Sequence, residues 1–427
     1  MADRFYKNYL LVLLLAILAC NFIDRWALGL VLQDIKADLS LSDTQLGVLS
    51  GIAFAMFYSL MGIPIARWVD SGNRVIIISL SAALWSIAVC ACGGARGFLQ
   101  LILLRMAVGI GEAGGFVPGF SLLADYFSRA DRPRAMAVYG LGGPLSIVIG
   151  YLAAGWLNAH YGWRFMFAAL GAPGLLLAAL AGLTLREPRR IGVRENDKGA
   201  AAPLAHRQRL WEVLATLWRI PTFRELLLCV STLFFFTYGI LQWQPTFFIR
   251  SFQLTGAQVG AGFATVYGLG GLLGTYWGGA LSARYAAQDE RKQLRYVTFA
   301  LSIAAFVSVW IYLTHSLYLA FTLLAAVAVA QHCVNAPVYA TLQTLIPESM
   351  RGTAIAVVLL FGNLIGMGFG PLAAGVLSDF YGATVGADSL RFALLTLSPG
   401  YFLVAWMAWR ASAKVTRDLA CATGSHS

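Results

Sequence analysis

The sequence predicts an all-α integral membrane protein with twelve transmembrane helices in two pseudo-symmetric six-helix bundles. Hydrophobic residues make up 59% of the 427 residues and charged residues only 12%, which is about half of the roughly 25% found in soluble proteins. A chain of this composition cannot cover itself with polar surface, which excludes an ordinary soluble enzyme and a disordered chain. Its apolar runs are continuous rather than alternating, as in Val75–Gly93, and this excludes a transmembrane barrel.

Charged breaks and breaks rich in glycine and proline separate twelve apolar runs along the chain. Backbone groups in lipid must hydrogen-bond within their own segment, and a helix of about 20 residues crosses the membrane. Each apolar run is therefore interpreted as one helical span. The predicted spans are Tyr9–Leu32, Thr44–Val69, Val75–Gly93, Leu99–Tyr126, Ala135–Leu157, Trp163–Leu185, Phe223–Ile249, Ala257–Leu281, Tyr296–Leu313, Leu317–Leu345, Thr353–Phe380 and Ser389–Ala411.

Basic residues are distributed unevenly among the loops that join these spans. If the N-terminus is cytoplasmic, 24 of the 31 Lys and Arg residues lie on the cytoplasmic side, five lie outside, and Arg25 and Arg105 lie within spans. Because loops rich in Lys and Arg stay in the cytoplasm, this bias predicts that both termini are cytoplasmic. It also accounts for the net charge of +11 without a nucleic-acid partner.

A basic and polar segment, Arg186–Arg224, interrupts the apolar pattern between spans six and seven. It predicts an N-terminal bundle (residues 1–187), a cytoplasmic linker (188–222), a C-terminal bundle (223–411) and a cytoplasmic tail (412–427). Apolar residues at helical spacing beside basic ones predict an amphipathic helix in the linker, which lies on the inner leaflet or docks against the bundle. The residues of that pattern are Arg207, Arg209, Leu210, Trp211, Leu214, Leu217, Trp218 and Arg219.

An internal repeat relates the two halves of the chain. The segments Leu152–Gly162 and Leu372–Gly382 close spans five and eleven, and seven of their eleven positions are identical at an offset of 220 residues. A repeat of six spans is parallel, because an even number of crossings restores the orientation. This arrangement resembles the major facilitator transporters, and the resemblance implies a binding site between the halves near the middle of the membrane.

The loop after span two resembles the loop motif of the same superfamily, with the outline G-x-x-x-D-x-G-x-R. Gly62 is expected to allow a close helix approach and Gly72 a tight turn. The resemblance implies that Asp70 and Arg74 join the halves on the cytoplasmic face in the outward-open state, and Asp125 at the end of span four is a candidate partner for Arg74. The alternative is a simple cluster of charges that stops transfer of the chain.

Four charged side chains are predicted to lie at membrane depth. Span one contains Asn21, Asp24 and Arg25 at helical spacing on one face, and span four contains Arg105 and Glu112 two turns apart. Ionised groups at this depth are costly, so they usually face a cavity and mark function. A purely structural cluster of ion pairs is the alternative, although buried ion pairs stabilise a fold poorly.

The motifs around these charges resemble a particular branch of the superfamily. The pattern N-F-I-D-R in span one is similar to the spinster-like and anion–cation symporter branches, and the other matching segments look spinster-like. Those segments are Ser42–Gly47, Phe54–Pro64, Gly111–Gly114, Pro118, Ser121–Leu123, Asp125–Phe127 and Arg132. Because eukaryotic spinster-like proteins are linked to export of sphingosine-1-phosphate and lysophospholipids, the resemblance implies a lipid-like anionic substrate. The compact chain looks like a bacterial member.

The charges suggest roles for these residues. A carboxylate in a cavity of low dielectric is disfavoured in its charged form and can take up a proton, whereas an arginine keeps its charge. We therefore expect Asp24 and Glu112 to be the proton-responsive pair. Arg25 and Arg105 are expected to orient them, and one of the two arginines is expected to hold an anionic headgroup.

Further candidates for substrate binding are polar or aromatic residues within the apolar spans. Tyr58 lies in span two, and the second half supplies residues of spans seven and ten that share helix faces close to prolines. Those residues are Tyr238, Gln242, Trp243, Gln331, Asn335 and Tyr339. The alternative for this set is hydrogen bonding between helices.

The sequence leaves three functions open. The first is a proton-coupled secondary transporter that moves an amphipathic anion, a lysolipid or sphingoid phosphate, by alternating access. The second is a proton-coupled symporter of a small organic anion such as a sugar acid, and the third is a membrane receptor or enzyme. No H-E-x-x-H, G-x-S-x-G or P-loop motif occurs, so we expect no enzymatic activity, cofactor or metal site.

The resemblance also implies where the protein acts and with what. We expect a monomer in the inner membrane of a bacterial cell. Its expected partners are protons, the lipid bilayer and an anionic amphipathic molecule, with no nucleic acid among them.

Overall fold

The computed structural model describes residues 2–188, 210–286, 289–347 and 350–424, which are almost entirely helical, with no strand in those ranges. The chain forms two compact units. The first contains the described residues before 205 together with Leu254–Ala264, and the second contains the rest of the described chain. Most of the predicted linker, including Arg207 and Arg209, lies outside the described residues.

Helices of the first unit follow the predicted spans but are broken at several glycine-rich positions. Span two is divided at Gly51, and span four is divided by the turn at 113–115. The helices are α1 (Ala2–Leu39), α2 (Asp43–Ser50), α3 (Ile52–Ser71), α4 (Arg74–Cys92), α5 (Phe98–Glu112), α6 (Phe116–Tyr126), α7 (Arg132–Gly140) and α8 (Gly142–Thr184).

The described part of the chain after residue 209 begins with the linker helix, followed by helices that are again interrupted within the predicted spans. The helices are α9 (Leu210–Arg219), α10 (Pro221–Phe252), α11 (Gly256–Ala286), α12 (Glu290–Leu313), α13 (Leu317–Cys333), α14 (Asn335–Leu345), α15 (Arg351–Phe361), α16 (Gly368–Val385), α17 (Ser389–Leu397) and α18 (Gly400–Gly424). A π-helical segment, Gly362–Met367, joins α15 to α16. Helix α18 continues through most of the segment predicted as a tail.

Nine helical stretches within the described residues are long and apolar enough to cross a membrane. Two of them, Arg132–Thr184 with 53 residues and Arg351–Ala420 with 70 residues, have room for two crossings each, since one crossing takes about 20 residues. Together with the separate glycine-rich helix α11, these stretches account for the twelve predicted spans.

Large apolar side chains are abundant on the outside of the helices. Leu183, Tyr318 and Phe380 are 85%, 87% and 72% exposed, whereas small residues such as Ala27, Ala154 and Ala304 are buried together with larger ones. Small residues at helix contacts and apolar residues outside are typical of helices packed in lipid.

Glycine 162 makes the turn between spans five and six. It has φ of +78° and ψ of 165° inside the helical stretch α8, a conformation that only glycine adopts readily. Its repeat counterpart Gly382 lies within α16, and the positive φ of the second half falls instead on Gly386, at +60°. The repeat is thus conserved in sequence at this corner but not in backbone conformation.

Helix α9 is amphipathic, as its spacing predicts. Val213 and Leu217 are buried and Trp218 is 57% exposed. The helix packs against α10 and α15 of its own unit. Of the two alternatives for this helix, the contacts of the buried side favour docking against the bundle.

Candidate functional site

Helices α3 and α5 come into backbone contact beside the predicted charged cluster. A Cβ atom on Gly109 would lie 2.6 Å from the carbonyl oxygen of Phe54 and 3.2 Å from the amide nitrogen of Tyr58. Gly109 stands between Arg105 and Glu112 on α5, so the contact places both charged side chains next to the aromatic residues of α3. Only a residue without a side chain permits this approach.

We expect Gly109→Ala to destabilise the protein by about 1–3 kcal/mol, because the added methyl group would force α5 away from α3. Thermal unfolding in detergent measures the change. Gly62→Ala is the matched control in α3, since a Cβ there meets nothing within 4 Å. An equal loss of stability in both variants would contradict the assignment of Gly109 as the contact point.

The structure does not show the close helix approach that was expected at Gly62. The space around the position of its missing Cβ is open. Gly72, in contrast, ends α3, and a Cβ on it would lie 2.6 Å from the carbonyl oxygen of Trp68. The tight turn expected at Gly72 is therefore present, and the prediction for Gly62 was wrong because motif spacing carries no information about neighbouring helices.

The four charged residues form two ion pairs between α1 and α5. Nη1 of Arg105 lies 2.5 Å from Oδ2 of Asp24, and Nε of Arg25 donates to Oε2 of Glu112 at 2.7 Å. The side chains of Asp24, Arg105 and Glu112 are 4%, 2% and 0% exposed, and that of Arg25 is 15% exposed. The cluster is thus electrically neutral and almost fully buried within the first unit.

Each carboxylate of the cluster uses only one oxygen in these pairs. Oδ1 of Asp24 and Oε1 of Glu112 are buried without a hydrogen-bond partner among the described residues. The two carboxyl groups also interact directly with each other. Asn21 donates from Nδ2 to the carbonyl oxygen of Glu112 at 3.5 Å. Two ionised carboxylates have no proton to share, so these free oxygens mark where an added proton would find an acceptor.

Aromatic rings surround the guanidinium group of Arg25. Its Cζ lies 4.7 Å from the ring centroids of Phe22, Phe54 and Tyr58. The rings of Phe54 and Tyr58 are stacked on each other at 5.4 Å. Tyr58, predicted as a substrate-binding residue, therefore contacts the arginine of the charged cluster.

The candidate residues of the second unit are placed differently from one another. Trp243 is fully buried and donates from its indole nitrogen to the carbonyl oxygen of Pro371 at 2.9 Å. It packs inside its own unit, and its role as a substrate-binding residue stays a prediction. Its position beside two glutamines on α10 did not reveal which way the ring points.

Other second-unit candidates lie in partly buried polar positions. Nε2 of Gln331 donates to the hydroxyl of Tyr401 at 2.6 Å, whereas Nε2 of Gln242 is buried without a partner among the described residues. Tyr238 and Tyr339 interact with each other. Asn335 is exposed at the first residue of α14. The structure thus brings Tyr238 and Tyr339 together and leaves the amide nitrogen of Gln242 available.

A buried polar group that was not predicted as a site lies one residue beyond Trp243. Gln244 accepts a hydrogen bond from the hydroxyl of Tyr267 at 2.5 Å, and its Nε2 donates to the hydroxyl of Tyr312 at 3.1 Å. A glutamine within an apolar run is the signal that could have identified this network. Its bonds are all satisfied, which favours a structural role.

The end of the first unit that is predicted to be cytoplasmic carries a second charged cluster around Arg74. This arginine is fully buried, and its Nη2 lies 2.6 Å from Oδ2 of Asp125, the partner proposed from the sequence, and 2.5 Å from Oε1 of Glu187. Its Nη1 also donates to the carbonyl oxygen of Ser121 at 2.9 Å. Asp70 is exposed at the end of α3.

Glu187 was not identified by the sequence analysis. It accepts from the backbone amide of Arg74 at 2.7 Å as well as from the guanidinium group. Its side chain is 3% exposed, compared with 42% for Asp125. A single acidic residue at the end of span six, before a basic linker, was the available signal. Glu187 connects the entrance of that linker to the loop after α3.

Comparison with known proteins places this arrangement in a family. The family model described as Major Facilitator Superfamily matches residues 14–371. An MFS-type efflux pump of Mycolicibacterium smegmatis is 31% identical over 402 residues, which are 93% of this chain and 91% of that protein. A probable galactarate/D-glucarate transporter of Bacillus subtilis is 26% identical over 303 residues, which are 64% of each chain.

A solved structure with the same fold has also been found. The crystal structure of a bacterial homologue of the human lysosomal transporter Spinster, in an inward-facing and unoccupied conformation, superposes with a TM-score of 0.87. Its sequence is 29% identical to this one, and the superposition covers 97% of this chain and 98% of the homologue's chain. The helical fold, the family match and this likeness agree with the motifs at Asn21–Arg25 and Gly62–Arg74. The chain therefore belongs to the major facilitator superfamily of multi-pass membrane transporters and is a spinster-like member of it.

Proposed function

We propose that this protein is a proton-coupled secondary transporter of an amphipathic anion, a lysolipid or a sphingoid phosphate, and that it works by alternating access. The observation that supports the proposal best is the neutral, buried cluster of two acids and two arginines in the first unit. Buried ion pairs contribute little to stability, so the retention of four ionised groups at this depth favours a functional role.

Charge balance supplies the coupling in this proposal. The pairs Asp24–Arg105 and Arg25–Glu112 carry no net charge together. A proton added to Glu112 removes its attraction for Arg25 and leaves one positive charge uncompensated in a buried place, which is costly. An anionic headgroup restores neutrality, because phosphate accepts strong hydrogen bonds from a guanidinium group. Proton and anion therefore bind most favourably together.

The carboxyl oxygens that lack partners provide the place for the proton. If either Asp24 or Glu112 is protonated, its carboxyl group can donate a hydrogen bond to the other carboxylate. That bond gives both Oδ1 of Asp24 and Oε1 of Glu112 a partner. The proposal assigns the proton to this pair as a unit rather than to one carboxylate, since two groups in direct contact titrate together.

Support for a lipid-like substrate comes from the likeness to the bacterial Spinster homologue and from the motifs shared with spinster-like proteins. A second candidate, a sugar acid, is supported by the galactarate/D-glucarate transporter of Bacillus subtilis among the relatives. Both substrates carry an anion that an arginine of the cluster could hold. They differ in whether an acyl chain contributes to binding.

Transport by the purified protein in liposomes tests the proposal. Vesicles with an imposed pH gradient are supplied separately with a lysolipid, sphingosine-1-phosphate and galactarate, and flux is compared with protein-free vesicles and with vesicles whose gradient has been collapsed. Gradient-dependent flux of the lysolipid or of sphingosine-1-phosphate, with no galactarate flux, is the expected result. Galactarate flux alone selects the second candidate, and lipid flux that ignores the gradient overturns proton coupling.

A further inference from the structure

The guanidinium group of Arg25 is paired with one carboxylate and is otherwise surrounded by aromatic rings. Of its nitrogens, Nε makes the aligned bond to Glu112, while Nη2 lies 2.5 Å from the same oxygen but makes no aligned hydrogen bond. The Cζ atom is 4.7 Å from each of three ring centroids, those of Phe22, Phe54 and Tyr58. A cation within about 6 Å of a ring centroid is attracted by the ring.

Other titratable groups also lie near Arg25. From α1, Asp24 interacts with Arg25, but its Oδ2 is held by Arg105 of α5. From α3, Tyr58 is a further titratable group close to Arg25. From α4, the thiol of Cys92 lies near Arg105 and Asp24. Among the described residues, Glu112 is the only carboxylate that forms an ion pair with Arg25, while Asp24 is paired with Arg105.

We propose that Phe22, Phe54 and Tyr58 form an aromatic cage that holds Arg25 while Glu112 is protonated. The inference rests on the proposed function, in which the pair of Asp24 and Glu112 takes up a proton, and it adds an interval in which the proton is on Glu112 and no anion has yet reached the arginine. In that interval the cage stabilises the unpaired cation. The three rings are positioning residues, which act on transport through Arg25.

The electrostatics of aromatic rings explain why the cage stabilises the charge of Arg25 more strongly when Glu112 is neutral. The face of a ring attracts a cation and repels an anion. When Glu112 is ionised, repulsion of its carboxylate offsets part of the attraction of Arg25 for the rings. When Glu112 is neutral, only the attraction remains. Each ring is therefore expected to contribute more to stability after Glu112 has lost its charge.

This expectation is tested by a double-mutant cycle on the unfolding of the detergent-purified protein. Tyr58→Leu is introduced into the wild-type protein and into the Glu112→Gln variant, which represents the neutral glutamate. Tyr58 is suitable because it is only half-buried, whereas Phe54 is 1% exposed and also contacts Arg105 at 5.1 Å. We expect Tyr58→Leu to raise the unfolding equilibrium constant about tenfold more in the Glu112→Gln background.

Three controls separate a cage from ordinary packing. Tyr58→Phe keeps the ring and is expected to behave like the wild type in both backgrounds. Phe167→Leu removes a buried ring that contacts Trp163 instead of Arg25, and its effect is expected to be equal in both. With Arg25→Met added, the coupling between Tyr58 and Glu112 is expected to disappear.

The unfolding measurement requires neither a substrate nor a pH gradient. It can therefore contradict the cage while the transport assay supports the proposed function, and it can support the cage while the transport assay contradicts that function. An equal effect of Tyr58→Leu in both backgrounds overturns the cage. If the double variant cannot be recovered folded, recovery of the same variant carrying Arg25→Met supports the cage, since the uncompensated cation is then gone. Loss of both proteins overturns it.

Discussion

Gradient-driven transport should be lost when Glu112 is replaced by glutamine. The change keeps the shape of the side chain but removes its charge and its capacity to take up a proton, so the flux driven by a pH gradient should fall by about tenfold or more, the effect of about 1.4 kcal/mol. Asp24→Asn is expected to act in the same way, because the two carboxyl groups are in direct contact. Flux in liposomes with and without the gradient measures both.

Glu225→Gln is the matched control for that experiment. Glu225 is another buried carboxylate, and its Oε1 lies 2.8 Å from Nη2 of Arg410 and 2.6 Å from Nζ of Lys414 in the second unit. We expect its replacement to leave the dependence on the gradient intact. Unchanged coupling in both Glu112→Gln and Asp24→Asn would contradict the proposed role of the pair.

The stability of Glu112→Gln gives a further result from the same protein. Loss of one partner from a typical buried ion pair costs about 3–5 kcal/mol, because the other charge is left uncompensated. With three rings around Arg25, the cost here should be smaller than that range. If Glu112→Gln is folded in detergent but shows no gradient-driven flux in liposomes, the substitution has impaired coupling rather than folding.

The largest loss of stability is expected for Arg74→Met. Arg74 is fully buried and is a counter-ion of Glu187, whose side chain is 3% exposed, so the substitution removes a positive charge from beside a buried carboxylate. It also removes the hydrogen bonds to Ser121. We expect a loss of about 3–5 kcal/mol, measured as a lower midpoint of thermal unfolding in detergent.

Two further variants show whether that loss comes from the buried carboxylate of Glu187 without its counter-ion. Arg67→Met removes an exposed arginine from α3 and should change stability by no more than about 0.5 kcal/mol. Arg74→Met combined with Glu187→Leu should recover most of the loss, because an apolar replacement of both partners is often neutral. Asp125, which is 42% exposed, can be solvated in that protein. Equal midpoints for Arg74→Met and Arg67→Met would contradict this account.

The spans and the charged residues within them were predictable from the sequence for a simple reason. Lipid requires about 20 apolar residues for each helix, and a charge inside such a run is conspicuous, as at Arg25, Arg105 and Glu112. The pairing of Asp24 with Arg105, and of Arg25 with Glu112, could not be predicted, since it depends on how α1 and α5 are rotated against each other.

Aromatic residues and glycines illustrate the same limit. Phe22, Phe54 and Tyr58 are ordinary members of apolar runs. Phe22 lies one helical turn before Arg25 on α1, whereas only tertiary packing makes Phe54 and Tyr58 of α3 neighbours of Arg25. Gly62 matched a motif, yet the close contact lies at Gly109. Trp243 looked like a binding residue but packs inside its unit.

By itself the sequence determined the membrane environment, the helical class, the family and the small set of ionised residues, because hydrophobicity and charge act locally along the chain. Tertiary structure alone decided which acid meets which base, that Glu187 completes the cluster at Arg74, and that three rings enclose one guanidinium group. Apart from Phe22 beside Arg25, those contacts join residues far apart in the chain, such as Arg74 and Glu187, which are separated by 113 positions. Only the packing of helices fixes distances of that kind.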